Sequence, residues 1–107
     1  MGAKDADSFV RLFMVPGMEH CGGDAGVSVF GANSVPRNDA DHDVDAAVER
    51  WVEQGVAPER IIAGKPKSLT DASQFVRTRP LCAWPKTAHY TGTGSTDDAA
   101  NFTCALP

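Results

Sequence analysis

The sequence predicts a small α/β domain, and two runs of apolar residues carry that prediction. Residues 9–15 (Phe-Val-Arg-Leu-Phe-Met-Val) are almost continuously apolar over the length of a strand. Such a run is typical of a strand buried on both faces, as in a parallel sheet. Farther along, apolar residues recur at helical spacing between residues 44 and 52. With 107 residues, the chain is long enough for one domain at most.

The predicted helix has signals at both of its ends. Gly55 and then Pro58 follow the periodic segment, as expected beyond a helix end. Trp51 lies on the apolar face, and we interpret it as a core residue. Carboxylates cluster at the amino end, where they interact favourably with the helix dipole. They are Asp39, Asp41, Asp43 and Asp45.

The remaining elements are predicted to be short. Residues 61–63 (Ile-Ile-Ala) and 88–90 (Ala-His-Tyr) are the candidate neighbours for the strand at 9–15. Residues 64–71 predict a surface turn because they combine glycine, proline, serine and lysine, and residues 75–77 predict a short extended piece. The first seven residues are small and polar, so residues 1–7 are predicted to be a disordered start and residues 8–107 the domain itself.

A histidine follows the predicted strand on a turn. Residues 16–23 read Pro-Gly-Met-Glu-His-Cys-Gly-Gly, which presents His20 beside Cys21. A serine hydrolase places its general base on such a loop, because the strand fixes the backbone while the ring reaches the nucleophile. The sequence contains no Gly-x-Ser-x-Gly motif. It therefore predicts the base-carrying part of an enzyme without its nucleophile.

Several segments, in order along the chain, resemble the tannase and feruloyl esterase family. They are residues 16–23, 51–63, 77–85, 90–94 and 97–104. The resemblance covers nearly all of the chain from Ser8 onward. It implies the carboxyl-terminal part of an α/β-hydrolase domain: one buried strand, the histidine loop, one main helix, short strands and a disulfide-closed tail.

The resemblance also implies an activity and its site. It implies a carboxylic ester hydrolase that acts on plant phenolic esters by a Ser-His-Asp mechanism, with His20 as the base. The nucleophile and the acid would lie in a missing amino-terminal part of the hydrolase, so this chain alone is expected to be inactive. Cys21 corresponds to half of a disulfide whose other cysteine precedes the nucleophilic serine and is absent here. We expect Cys21 to be a free thiol, and the whole protein to be secreted or periplasmic.

Cys82 and Cys104 bracket a segment rich in glycine, threonine, aspartate and proline that has little apolar content. A disulfide that closes about 22 residues would stabilise it by roughly 3 kcal/mol. The alternative is two free thiols in a cytosolic protein. Since members of the family are typically exported, we predict the disulfide.

Other classes of function are disfavoured by composition. The net charge is −4 and the ten basic residues are scattered, which argues against a nucleic-acid partner. The sequence has no run of about 18 apolar residues, so no membrane span is predicted.

The residues of metal-binding type do not form a known site. The aspartates at 39–45 lack the glycine and terminal glutamate of a calcium loop, and the cysteines and histidines lack a close zinc-binding pair. We expect no metal and no cofactor, and we expect His42 and His89 to be surface residues. A small exported, disulfide-stabilised binding module without catalysis is the alternative.

Overall fold

The structure is a computed structural model that describes residues 6–18, 26–31, 37, 39–68 and 71–107. Within these ranges, no helix has the length and apolar character needed to cross a membrane. The elements, in order, are helix α1 (Val44–Gln54), strand β1 (Arg60–Ser68), strand β2 (Asp71–Cys82), strand β3 (Thr87–Tyr90), a 3₁₀ turn (Ala99–Asn101) and strand β4 (Phe102–Ala105).

Helix α1 confirms the predicted helix and its end signals. The side chain of Asp43 accepts hydrogen bonds from the backbone N–H groups of Asp45 and Ala46, at 2.9 and 3.2 Å, and so caps the amino end. At the other end Gly55 has a φ of 71°, and its N–H donates to the carbonyl of Trp51. A left-handed residue is favourable there because glycine has no Cβ.

Strands β1 and β2 form an antiparallel hairpin, and β1 confirms the strand predicted at residues 61–63. The surface turn predicted over residues 64–71 is wrong for most of that range, because β1 continues to Ser68 and β2 starts at Asp71. Pairing with β2 outweighs the local turn composition. The register shifts beside Pro66, which has no N–H to donate to the ladder.

A small apolar core lies against this hairpin. Ala63 of β1 and Leu81 of β2 are buried with Val27, and Phe13 and Phe30 pack against them. Two backbone hydrogen bonds hold the segment that contains Val27. The N–H of Val29 donates to the carbonyl of Gly64 at 3.0 Å, and the N–H of Gly64 donates to the carbonyl of Val29 at 2.9 Å. The hairpin therefore has a partner along its β1 edge.

The buried strand predicted at residues 9–15 is wrong. Phe9, Leu12 and Met14 are each more than half exposed. The segment forms an isolated antiparallel bridge at Phe13, and the N–H of Trp84 donates to the carbonyl of Leu12 at 2.8 Å. Both described sheets are antiparallel. Phe13 and Val15 pack against the core, while Leu12 and Met14 point to the opposite face and stay exposed.

The carboxyl-terminal region is closed by the predicted disulfide. Cys82 and Cys104 are bonded, with their Cα atoms 5.6 Å apart. The bond joins the end of β2 to β4, which itself pairs antiparallel with β3. The rings of Tyr90 and Phe102 lie 5.6 Å apart on this second sheet.

Candidate active site

His20 and Cys21 lie outside the residues that the structure describes, so the roles assigned to them stay predictions. The residues on either side of the segment that carries them are described. The N–H of Gly26 donates to the carbonyl of Gly17 at 2.9 Å, which holds the two sides of that segment together. A Cβ on Gly26 would lie 2.1 Å from the carbonyl oxygen of Pro16, so this approach requires glycine.

A groove of about 430 Å³ lies beside these loop ends. Pro16 and Gly26 line one side of it, while the end of β2 and the start of β3 contribute to the rest. Its volume is within the range of small-molecule sites. Most of its lining is apolar, including Met14, Val27, Leu81 and Trp84. The groove therefore borders the loop that carries the predicted base.

The charged residues that line the groove are all cationic: Arg77, Arg79 and Lys86. The Nε of Arg77 donates to the carboxylate of Asp97 at 2.8 Å. Arg79 donates to the carbonyl of Thr96 at 2.7 Å and lies 4.1 Å above the ring of Phe102. These contacts give both arginines defined positions at the groove.

Burial lowers the pKa of Arg79 below its ordinary value, and the neighbouring charge of Arg77 lowers it further, while Asp97 opposes the shift. Arginine nevertheless keeps its proton at neutral pH. The side chain is therefore a partly desolvated cation, which favours an anion nearby.

The two other histidines are placed away from the groove lining. His89 is exposed, as predicted, and its Nε2 lies 3.0 Å from the hydroxyl of Thr87. His42 is half-buried, with Nδ1 2.7 Å from a carboxylate oxygen of Asp39. The hydrogen bond to His42 is the main cause of a lowered pKa of Asp39.

The acidic cluster before α1 is engaged within the fold. Asp39 contacts His42, Asp41 lies 3.7 Å from Arg50, and Asp43 caps the helix. In the described part of the chain, no three side chains of the metal-binding types come together.

The sequence motifs did not indicate the cations of the groove. Trp84, two residues after Cys82, is 59% exposed and also lines the groove. Arg77 and Arg79 are two residues apart on one strand, and this spacing places both side chains on the same face. That alternation was the available signal.

Comparisons with known proteins agree on one family. The profile of the tannase and feruloyl esterase family matches residues 1–105. An uncharacterised esterase of Xanthomonas campestris is 54% identical over 109 residues, which cover 95% of this chain and 19% of that protein. The mono(2-hydroxyethyl) terephthalate hydrolase of Piscinibacter sakaiensis is 41% identical over 104 residues, covering 95% of this chain and 15% of that enzyme.

A solved structure supports the same assignment. The crystal structure of an esterase from Aspergillus oryzae superposes with a TM-score of 0.82 at 34% identity, and the match covers 97% of this chain and 21% of that one. The chain thus spans about a fifth, or less, of the length of these relatives. Because the family profile covers nearly every residue, this chain belongs to the tannase and feruloyl esterase family.

Proposed function

We propose that this chain is the base-carrying part of a carboxylic ester hydrolase of the tannase and feruloyl esterase type. The observation that carries the proposal is the family match over residues 1–105, which includes the His20 motif. In the proposed reaction His20 accepts the proton of a serine hydroxyl as that oxygen attacks the ester carbonyl. It then returns the proton to the departing alcohol. An imidazole pKa near 6.5 suits both steps around neutral pH.

The described residues support this role through the base of the histidine loop. A general base needs a fixed backbone attachment and a ring that can reach the reacting atoms. The hydrogen bond between Gly26 and Gly17 closes the loop, and Pro16 and Gly26 also line the groove. Phe13, three residues before Pro16, bridges to Ala83 at the end of β2. The loop therefore starts and ends on backbone that the fold holds.

The nucleophile and the acid of the proposed triad belong to polypeptide outside these 107 residues. No Gly-x-Ser-x-Gly motif occurs in the sequence, and the relatives are about five times longer than the matched region. The cysteine that would pair with Cys21 belongs to the same outside part. Since removal of a triad member costs orders of magnitude in rate, the chain alone is expected to be inactive.

The substrate class follows from the relatives and the groove. One relative is named for a terephthalate monoester and another for feruloyl esters, both of which are esters of aromatic acids. An apolar groove that contains Trp84 suits an aromatic group. The Cys82–Cys104 disulfide favours an oxidising compartment, in agreement with a secreted or periplasmic enzyme.

The proposal is tested by a chimeric enzyme. In the terephthalate monoester hydrolase of Piscinibacter sakaiensis, the matched segment is replaced by this chain, and hydrolysis of mono(2-hydroxyethyl) terephthalate and of a p-nitrophenyl ester is measured. We expect the chimera to hydrolyse an ester with saturation kinetics, while the isolated 107-residue chain matches buffer. Circular dichroism and the melting temperature establish that the chimera is folded. A folded chimera without turnover on either ester would contradict the proposal and favour the non-catalytic module.

A further inference from the structure

The lysine and arginine residues are concentrated in one part of the chain. Six of the ten lie between residues 60 and 86, and that stretch contains one of the fourteen acidic residues. It therefore carries a net charge of +5, whereas the remainder of the chain carries −9. The stretch comprises the hairpin of β1 and β2 and the turn that follows it. A separation of charge on this scale creates a positive surface on an otherwise acidic chain.

The register of the hairpin brings several of these cations to one face. Lys65 of β1 lies directly opposite Arg77 of β2, so their side chains point to the same side of the hairpin. Arg79, two residues farther along β2, points to that side as well. Lys86 lines the same groove as Arg77 and Arg79. These four residues, Lys65, Arg77, Arg79 and Lys86, form a cationic strip.

The strip has an excess of positive charge. Like charges directly opposite each other in a hairpin are destabilising. Within the part of the chain that the structure describes, Arg77 pairs with Asp97 at 2.8 Å, while Lys65 and Lys86 form no ion pair. Arg79 already donates to a backbone carbonyl and lies over an aromatic ring, so it contributes charge more than a free donor. An anionic partner would offset the repulsion within the strip.

The spacing of the strip favours a partner with repeated negative groups. Residues opposite each other in a hairpin are about 5 Å apart, and alternate residues of one strand are about 7 Å apart. One carboxylate cannot contact all of these cations, whereas a polymer with regularly spaced carboxylates can. A strip two strands wide suits a single extended polymer. A nucleic-acid duplex is wider and would also face the acidic remainder of the chain.

The compartment narrows the class of polymer. The disulfide between Cys82 and Cys104 favours an oxidising compartment outside the cytosol. Polysaccharides with uronic acid units are extended polyanions of such compartments. We propose that the cationic strip binds a single chain of an acidic polysaccharide, whose carboxylates contact Lys65, Arg77 and Lys86. This inference rests on the charges and the register of the hairpin and is independent of the proposed hydrolysis.

The test is a calorimetric titration of the full 107-residue chain with polygalacturonate at neutral pH and about 0.1 M salt, where charges are screened beyond about 10 Å. We expect saturable binding that is lost at about 1 M salt, where the screening length falls to about 3 Å. Fully methyl-esterified polygalacturonate has the same backbone without the charge, and it is expected not to bind.

Matched variants locate the contact. Lys65→Gln should weaken binding about threefold, and its combination with Lys86→Gln about tenfold, as for exposed charge contacts. Arg60→Gln removes a positive charge from the same strand but from the opposite face. It lies five residues from Lys65, about 16 Å away and beyond the screening length, so this variant should leave the affinity unchanged. Circular dichroism and the melting temperature establish that each variant is folded.

Three results would overturn the proposal: no saturable binding, equal binding of the esterified polymer, or equal effects of Lys65→Gln and Arg60→Gln. Two others would assign the strip to a different partner and overturn it as well. The first is tighter binding of duplex DNA than of polygalacturonate. The second is a salt-sensitive dimer in sedimentation that Lys65→Gln dissociates, since α1 of a second copy exposes Asp45, Glu49 and Glu53.

Binding of the polymer and hydrolysis by the chimera are separate measurements. An inactive chimera combined with intact polymer binding by the chain would remove the proposed function alone. An active chimera combined with a chain that does not bind polygalacturonate would remove the assignment of the cationic strip alone.

Discussion

Residues 9–15 and strand β1 are two apolar segments that differ in how deeply their side chains are buried. The first segment is the more continuously apolar, yet Leu12 is 51% exposed, whereas Ile61 in β1 is 1% exposed. Strand β1 has β2 along one edge and contacts at position 29 along the other. Among the described residues, the backbone of residues 9–15 pairs across one edge, through the bridge between Phe13 and Ala83 and the hydrogen bond from Trp84 to Leu12. Burial therefore depends on how many edges and faces find partners, and the composition of a segment does not fix it.

The largest expected effect on the free energy of unfolding comes from a leucine-to-alanine substitution, which can be made in both regions. Leu81, opposite Ile61 in the hairpin, is 3% exposed and belongs to the core. Leu81→Ala should lower the free energy of unfolding by about 2–5 kcal/mol through lost burial and a cavity. Leu12→Ala should cost less than about 1 kcal/mol because half of that side chain is already in water. Urea unfolding measures both, and equal losses would contradict the difference between the regions.

The disulfide is expected to have the next largest effect. Removing the bond between Cys82 and Cys104 by a double serine substitution should lower the free energy of unfolding by roughly 3 kcal/mol, because the unfolded chain regains freedom. Unfolding with and without a reducing agent measures the loss. The double variant should no longer respond to the reductant, whereas Cys21→Ser should respond as the natural chain does. A double variant with the same free energy of unfolding as the natural chain would show that this bond does not stabilise the fold.

A smaller effect is expected at the start of α1. Asp43→Ala removes the acceptor for Asp45 and Ala46, and also for the N–H of Arg37 at 2.9 Å. Loss of this cap should cost about 1–2 kcal/mol, measured by thermal unfolding with circular dichroism. Asp41→Ala is the matched control. The ion pair between Asp41 and Arg50 spans 3.7 Å and is exposed to solvent, so its loss should cost little. A loss at Asp41 as large as that at Asp43 would argue against capping.

The smallest effect is a dependence on pH at Asp39. The hydrogen bond from His42 lowers the pKa of Asp39 below its ordinary value of 3.8. The folded state therefore binds this proton less readily than the unfolded chain, so the stabilisation is complete above the unfolded pKa and is lost as the pH falls through the folded pKa. The contribution should be a few tenths of a kcal/mol because the pair is exposed. Asp39→Asn should reduce the acid sensitivity of unfolding below pH 3.8, and an unaltered pH profile would contradict this.

The features that were predictable from sequence are those with local signals. The aspartate cluster at residues 39–45 and Gly55 indicated the ends of α1, and Cys82 and Cys104 bracketed a segment with little apolar content of its own. The extension of β1 to Ser68 could not be read locally, because β2 supplies its hydrogen bonds.

Part of the candidate site was likewise predictable from the sequence, and part of it was not. The His20 motif and the family were evident from consecutive residues. The groove was not evident, because it is assembled from Met14, Trp84, Lys86 and the arginines of β2, which are distant in the chain. The pairing of the strands, the bridge at Phe13 and the hydrogen bond from Trp84 to Leu12 bring them to one place.

The role of His20 is tested most directly in the chimeric esterase by comparing two histidine substitutions. His20→Gln should lower the rate of ester hydrolysis about 1,000-fold or more, while the enzyme remains folded and still binds substrate. His89→Gln, at an exposed position outside the groove, should leave the rate unchanged. A folded His20→Gln enzyme that retained the full rate would contradict the assignment of this imidazole as the general base.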